Sequence, residues 1–89
     1  MLEYHIMFKI NVRHLRQWQA ETKIMEGIDE AFLNGERKVE IIHGASGGVL
    51  RRLSKQIAEE HPLVKRIIPP KEILRPNPGA TVIELESRY

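Results

Sequence analysis

The sequence predicts an α/β fold of the two-layer α+β kind: a four-stranded mixed sheet with both helices on one face. Three observations carry that prediction. Strand-like and helix-like patterns alternate in the order β-α-β-α-β-β along 89 residues. Two right-handed strand–helix–strand crossovers place both helices on the same side of the sheet. A single loop rich in proline, Pro69 to Gly79, then returns the last strand antiparallel to the one before it.

Each element has its own signature. Tyr4, Ile6, Phe8, Ile10 and Val12 alternate with His5, Met7, Lys9 and Asn11, the period of a half-buried strand. Arg13 continues the polar side, so Lys9, Asn11 and Arg13 fall on the open face near the strand end. From Leu15 to Leu33 the apolar period becomes helical, with Ala20, Ile24, Gly27, Ile28, Ala31 and Phe32 on one stripe. Glycine within a helix costs about 1 kcal/mol relative to alanine. Its place on the buried stripe therefore implies close approach to the sheet. Asn34-Gly35 is a helix stop. Trp18 and Met25, seven residues apart on a neighbouring stripe, are expected to widen the core contact; the alternative is a partner or dimer surface.

Val39 to Ile42 is the second strand, and a second helix runs from Gly48 to Glu60. In that helix Val49, Leu50, Leu53 and Ile57 are expected inward, with Arg51, Arg52, Lys55 and Glu59 outward. His61-Pro62 ends it, with His61 favoured by the helix dipole. Leu63 to Ile68 is the third strand and Ala80 to Leu85 the fourth, after the turn chemistry of Asn77-Pro78-Gly79. One domain spans 1–89, with 1–3 and 86–89 as frayed ends.

Composition narrows the function classes. Absence of cysteine excludes a disulfide framework and a thiolate metal site. No apolar run approaches the roughly 18 residues of a membrane span, and no signal-peptide pattern opens the chain, so a cytoplasmic protein or domain is expected. The net charge of +2 is too mild to indicate nucleic acid by itself; charge placement must decide. His5, His14, His43 and His61 show no ligand spacing, and no protein-held metal is expected.

Placement is informative at one stretch. Val39 to Ile42 leads through His43 into Gly44-Ala45-Ser46-Gly47-Gly48 and then directly into a helix carrying Arg51. A strand, a glycine turn and a helix N-terminus together suit an anion, above all phosphate. The glycines can also serve only to tighten the turn. In open sheets of this kind, sites form beyond the carboxyl ends of parallel strands. The first such loop holds Asn11, Arg13, His14 and Arg16; the second holds His43, Gly44, Ser46, Gly47 and Gly48. Both open on one edge, and these residues with Arg51 are the expected phosphate-binding set.

Here the chain resembles the small MutS-related (Smr) domain from about Ile10 to Leu85. Ile41-Ile42-His43-Gly44 leading to Leu50-Arg51, His61-Pro62-Leu63-Val64-Lys65 and Thr81-Val82-Ile83-Glu84-Leu85 carry the resemblance, in order and spacing. It implies a two-layer fold with strand order 1-2-4-3, binding of DNA or RNA, and endonucleolytic cutting in many members. It also implies that the domain occurs alone or at the end of a larger MutS-like parent. The family's first strand usually ends Leu-Asp-Leu-His-Gly, where this chain has Ile10-Asn11-Val12-Arg13-His14. The family's His-Gly-Lys-Gly-Thr-Gly turn reads His43-Gly44-Ala45-Ser46-Gly47-Gly48.

Chemistry weighs those departures. Cutting a phosphodiester needs a base, an acid for the leaving oxygen and cations for the phosphate. His43 is the candidate for proton transfer. Asn11 cannot act as a general base, Arg13 stays protonated, and His14 would face the other way if the strand persisted. The first reading is therefore a nucleic-acid-binding domain whose nuclease activity is lost or altered. The alternatives are an endonuclease using His43, alone or with His14, and with Mg2+ or Mn2+ as its metal, and a protein-interaction module, homodimer included, using the helical layer.

Overall fold

The computed structural model describes residues 7–46 and 48–89. Residues 1–3, the strand start expected at Tyr4 to Ile6, and Gly47 lie outside the described residues. Strands β1 (Phe8–Asn11), β2 (Lys38–Ile42), β3 (Val64–Ile68) and β4 (Ala80–Leu85) alternate with helices α1 (Gln17–Leu33) and α2 (Val49–Glu60) in the expected order. A 3-10 turn, Pro70–Glu72, lies in the proline-rich loop. The sheet order is β1-β2-β4-β3, with β1 parallel to β2 and β4 antiparallel to both its neighbours. That is the mixed sheet predicted.

Alternation decides which face the helices cover. Ile10 and Val12, Val39 and Ile41, Ile83 and Leu85 point to one side, where they meet Ala20, Ile24 and Ile28 of α1 and Leu53 and Ile57 of α2. Fully burying one such branched side chain contributes about 1.5–3 kcal/mol. The glycine on the buried stripe brings α1 close: a β-carbon on Gly27 would lie 2.5 Å from Ile10 Cδ1. The helix stops as Asn34-Gly35 predicts. Gly35 takes φ 78°, its N–H bonds the Phe32 carbonyl, and the Glu36 N–H bonds that of Ala31.

Two expected core contributions are corrected. Val49 is 52% exposed, because the buried stripe of α2 runs through Leu53, Ser54, Ile57 and Ala58 and Val49 stands to one side of it. Trp18 and Met25 are 66% and 45% exposed and do not widen the core contact. The stripe of α1 that touches the sheet is the narrower one through Ala20, Ile24, Gly27, Ile28 and Ala31.

Candidate functional site

The carboxyl ends of β1 and β2 lie side by side, since Asn11 pairs with Ile42 and the Val12 N–H bonds the Ile42 carbonyl at 2.9 Å. Beyond them the chain turns twice, and the two turns bound a hollow of about 240 Å³. Arg13 and His14 line it from the first turn, His43, Gly44, Ser46 and Gly48 from the second, and Arg51 from α2. Asn11 and Arg16 do not line it. Asn11 turns its Oδ1 back to accept the Arg13 N–H at 3.0 Å, which tightens the first turn. Arg16 is the N-cap of α1, and its N–H donates to Gln19 Oε1 at 3.0 Å.

His14 reaches the hollow because the strand does not persist. It takes φ 66°, a left-handed conformation uncommon outside glycine, and so joins Arg13 instead of facing away from it. The second turn depends on Gly44, whose φ of 96° belongs to the region glycine favours. The Arg13 side chain lies along it, with Nε 3.7 Å from where a Gly44 β-carbon would stand. Gly48 is not left-handed: its φ is −118°, and it is the N-cap of α2. The Arg52 guanidinium folds back over it, within 2.6 Å of a would-be β-carbon.

The donors around the hollow differ in availability. The Gly44 N–H is taken by the Gly79 carbonyl at 2.9 Å, which also accepts the His43 N–H at 2.9 Å. Val49 and Leu50 open α2 and both line the hollow, and N–H groups of a first helical turn have no partner within their own helix. Arg51 Nη2 donates to the Pro78 carbonyl at 2.9 Å and, more weakly, to that of Ala45 at 3.4 Å. Among the described residues, its charge is met there only by carbonyl dipoles.

His43 is 6% exposed. Its Nδ1 lies 2.9 Å from the Gly44 carbonyl oxygen and its Nε2 2.9 Å from Thr81 Oγ1. Burial pushes the imidazole below its ordinary value of 6.5. The hydrogen bond to the Gly44 carbonyl works against that shift, and the Arg51 and Lys55 charges add to it. Thr81 is the residue that sequence reasoning misses. It stands 38 positions from His43, and only the antiparallel register of β2 with β4, Ile41 opposite Thr81, brings the two together.

Arg13 and Arg51, both lining the hollow, are donors suited to an anion, whereas the His43 ring has both nitrogens engaged within the protein and adds no donor to them. Among the described residues, no three His, Cys, Asp or Glu side chains gather as metal ligands. No described helix is long and apolar enough to cross a membrane.

Comparison with known proteins agrees with this fold. The Smr domain model matches residues 10–86. Over 63 residues, 71% of this chain, the sequence is 35% identical to the endonuclease MutS2 of Halalkalibacterium halodurans. Over 78 residues, 86% of this chain, it is 32% identical to the endonuclease MutS2 of Solidesulfovibrio magneticus. The matched segments cover only 8% and 10% of those two proteins. In fold, the chain matches the crystal structure of the Smr domain of Thermus thermophilus MutS2 with a TM-score of 0.77 at 22% identity. That match covers 89% of this chain and 98% of the other.

Proposed function

The chain belongs to the Smr domain family, and from that premise we propose that it binds DNA or RNA by the phosphate backbone, at the hollow beyond β1 and β2, without cutting it. The observation that carries this reading is the convergence of Arg13, His14, Ser46, Gly48 and Arg51 on one recess beside the first N–H groups of α2. Phosphate contacts of this kind give affinity without sequence preference. The first turn lacks the chemistry that cutting needs. Asn11 and Arg13 occupy the places where the family resemblance sets an acid and a histidine, and neither can shuttle a proton at neutral pH. His43 has both ring nitrogens engaged within the protein.

The opposed reading is an endonuclease. The names of the MutS2 relatives favour it, and so does the presence of His43 in the wall of the hollow. One preparation separates the two. Labelled single-stranded and duplex DNA and RNA are titrated at several salt concentrations, then incubated with Mg2+ and with Mn2+. Binding that weakens with salt, and no cleavage, is expected. In Arg13→Gln/Arg51→Gln, affinity should fall on every sequence, and the salt dependence should flatten by roughly two counterions. Unchanged affinity and slope in the folded double variant would remove the site. Cleavage that disappears in His43→Gln would replace this proposal with the nuclease.

A further inference from the structure

On the far side of Arg51 lies a second and larger hollow, of about 640 Å³. Its walls are the side of α2 that carries Arg51 and Lys55, the adjoining ends of β3 and β4, and the loop from Pro69 to Pro78. Apart from Arg51, Lys55, Asn77 and Thr81 the lining is aliphatic and prolyl, and no acidic side chain belongs to it among the described residues. Ile68 and Val82 line it, paired across β3 and β4. Each is 5% exposed, yet neither belongs to the cluster packed between sheet and helices. Apolar groups under a long loop usually form a satellite cluster with the loop's own side chains. Here Leu74 of that loop stands 95% exposed and does not line the hollow.

Arg51 joins the two hollows: it lines both, and its Nη2 bonds Ala45 on one side and Pro78 on the other. A phosphate drawn to Arg51 therefore brings the neighbouring part of its strand to the mouth of the apolar recess. We propose that this recess takes an unpaired nucleobase of the strand whose phosphate lies against Arg13 and Arg51, so that the domain selects single-stranded over duplex nucleic acid. The inference rests on the phosphate reading above.

The chemistry of a base fits the walls. Its flat faces are apolar and suit proline and isoleucine, while its edge needs a few placed polar groups. Asn77 supplies one: its Oδ1 accepts the Gly79 N–H at 2.8 Å, and its amide NH2 remains to donate. In a duplex the bases are stacked inside, so only a base out of the stack can enter a recess walled by a helix and a loop. Arg51 and Lys55 in the lining, with no acidic side chain beside them there among the described residues, favour a polyanionic strand over an apolar peptide.

The test uses short fluorescent oligonucleotides with the chain as it stands. Ile73, in the loop wall, is partly exposed, so Ile73→Trp fills the recess without touching the core cluster. The wild-type chain should bind a single strand about tenfold or more tighter than its duplex, the scale of one base held on a side chain. Ile73→Trp should abolish that advantage, with duplex affinity and salt slope unchanged. A 2-aminopurine in the strand, read with the wild-type chain, should change its emission on binding as it leaves the stacked, hydrated state; this measurement decides the matter if Ile73→Trp does not fold. Arg13→Gln, which touches only the phosphate hollow, should weaken single strand and duplex alike. Equal wild-type affinity for strand and duplex, or an unchanged 2-aminopurine signal, would overturn the inference. An advantage that survives Ile73→Trp while Arg13→Gln weakens binding would also overturn it, leaving the phosphate reading intact and the recess to an apolar peptide. No binding of any nucleic acid would remove both.

Discussion

At the His43 ring, the partners decide the tautomer. A carbonyl only accepts, so Nδ1 carries the proton toward Gly44, and Nε2 of the neutral ring accepts from the Thr81 hydroxyl. The ring thereby ties the start of the glycine turn to β4, and its role in the phosphate reading is to position Gly44. Protonation is opposed chiefly by burial, then by Arg51 and Lys55. Because the folded pKa is lowered below 6.5, the unfolded chain binds more protons in the window between the two values. The stability gained by keeping His43 neutral is thus present above about pH 6.5 and lost as pH falls through the folded pKa. The melting temperature of the wild-type chain is therefore expected to fall more steeply than that of His43→Gln between about pH 7.5 and about pH 5. The other histidines are common to both proteins and cancel in the difference. Parallel curves would show that the ring is not held neutral by the fold.

At the scale of elements, two glycines do different work and can be told apart. Gly27 is where α1 meets β1, and a methyl there would press on Ile10 at 2.5 Å. Alanine would normally favour a helix by about 1 kcal/mol, but overpacking costs about 1–3 kcal/mol. Gly27→Ala should lower the melting temperature and leave the affinity of the folded fraction unchanged. Gly44→Ala meets open space apart from Arg13 at 3.7 Å, but it must hold a left-handed φ of 96°, a strain of roughly 1–2 kcal/mol. It should lower stability and also weaken nucleic-acid binding, because relaxing the turn displaces Arg13. Thermal melts paired with titrations of the folded fraction read both, and unchanged affinity in Gly44→Ala would assign the turn to the fold alone. The role of Gly27 is legible in the sequence, since a glycine on a buried stripe has few other reasons. The pairing of the two strand-end loops is equally legible, because parallel strands joined by crossovers open their loops on one edge. The side of a helix is harder to read. Val49 is apolar and next to Leu50, yet one residue step turns it out of the stripe, and Trp18 is turned out likewise. His14 depends on a single positive φ, and both Thr81 and the apolar recess depend on how β4 registers with its neighbours. None of these leaves a mark in local spacing.

Across the whole molecule the charges divide into those the fold neutralises and those it leaves open. Arg66 Nε bonds Glu84 at 2.8 Å and its Nη2 bonds Glu72 at 2.9 Å, while Arg37 lies 3.5 Å from Glu84. Glu72 and then Glu84 hold the Arg66 proton more firmly, and hydrogen bonding to Arg66 is the chief cause that keeps both carboxyls below the usual carboxylate range. At the strand ends the balance is different: among the described residues, the Arg51 guanidinium meets carbonyl oxygens only. Stability rests on the apolar cluster, and exposed ion pairs such as those of Arg66 contribute little to it. Raising salt from about 0.05 M to about 0.5 M should therefore leave the melting temperature nearly unmoved while nucleic-acid affinity falls steeply. The same division fixes what single substitutions do. Arg51→Gln should flatten the plot of log affinity against log salt by about one counterion, and Arg66→Gln should leave its slope unchanged. If Arg66→Gln flattened the plot as much as Arg51→Gln did, the bound strand would have to cross the Arg66–Glu84 side of the sheet. The hollow at the ends of β1 and β2 would then no longer account for where the phosphates lie.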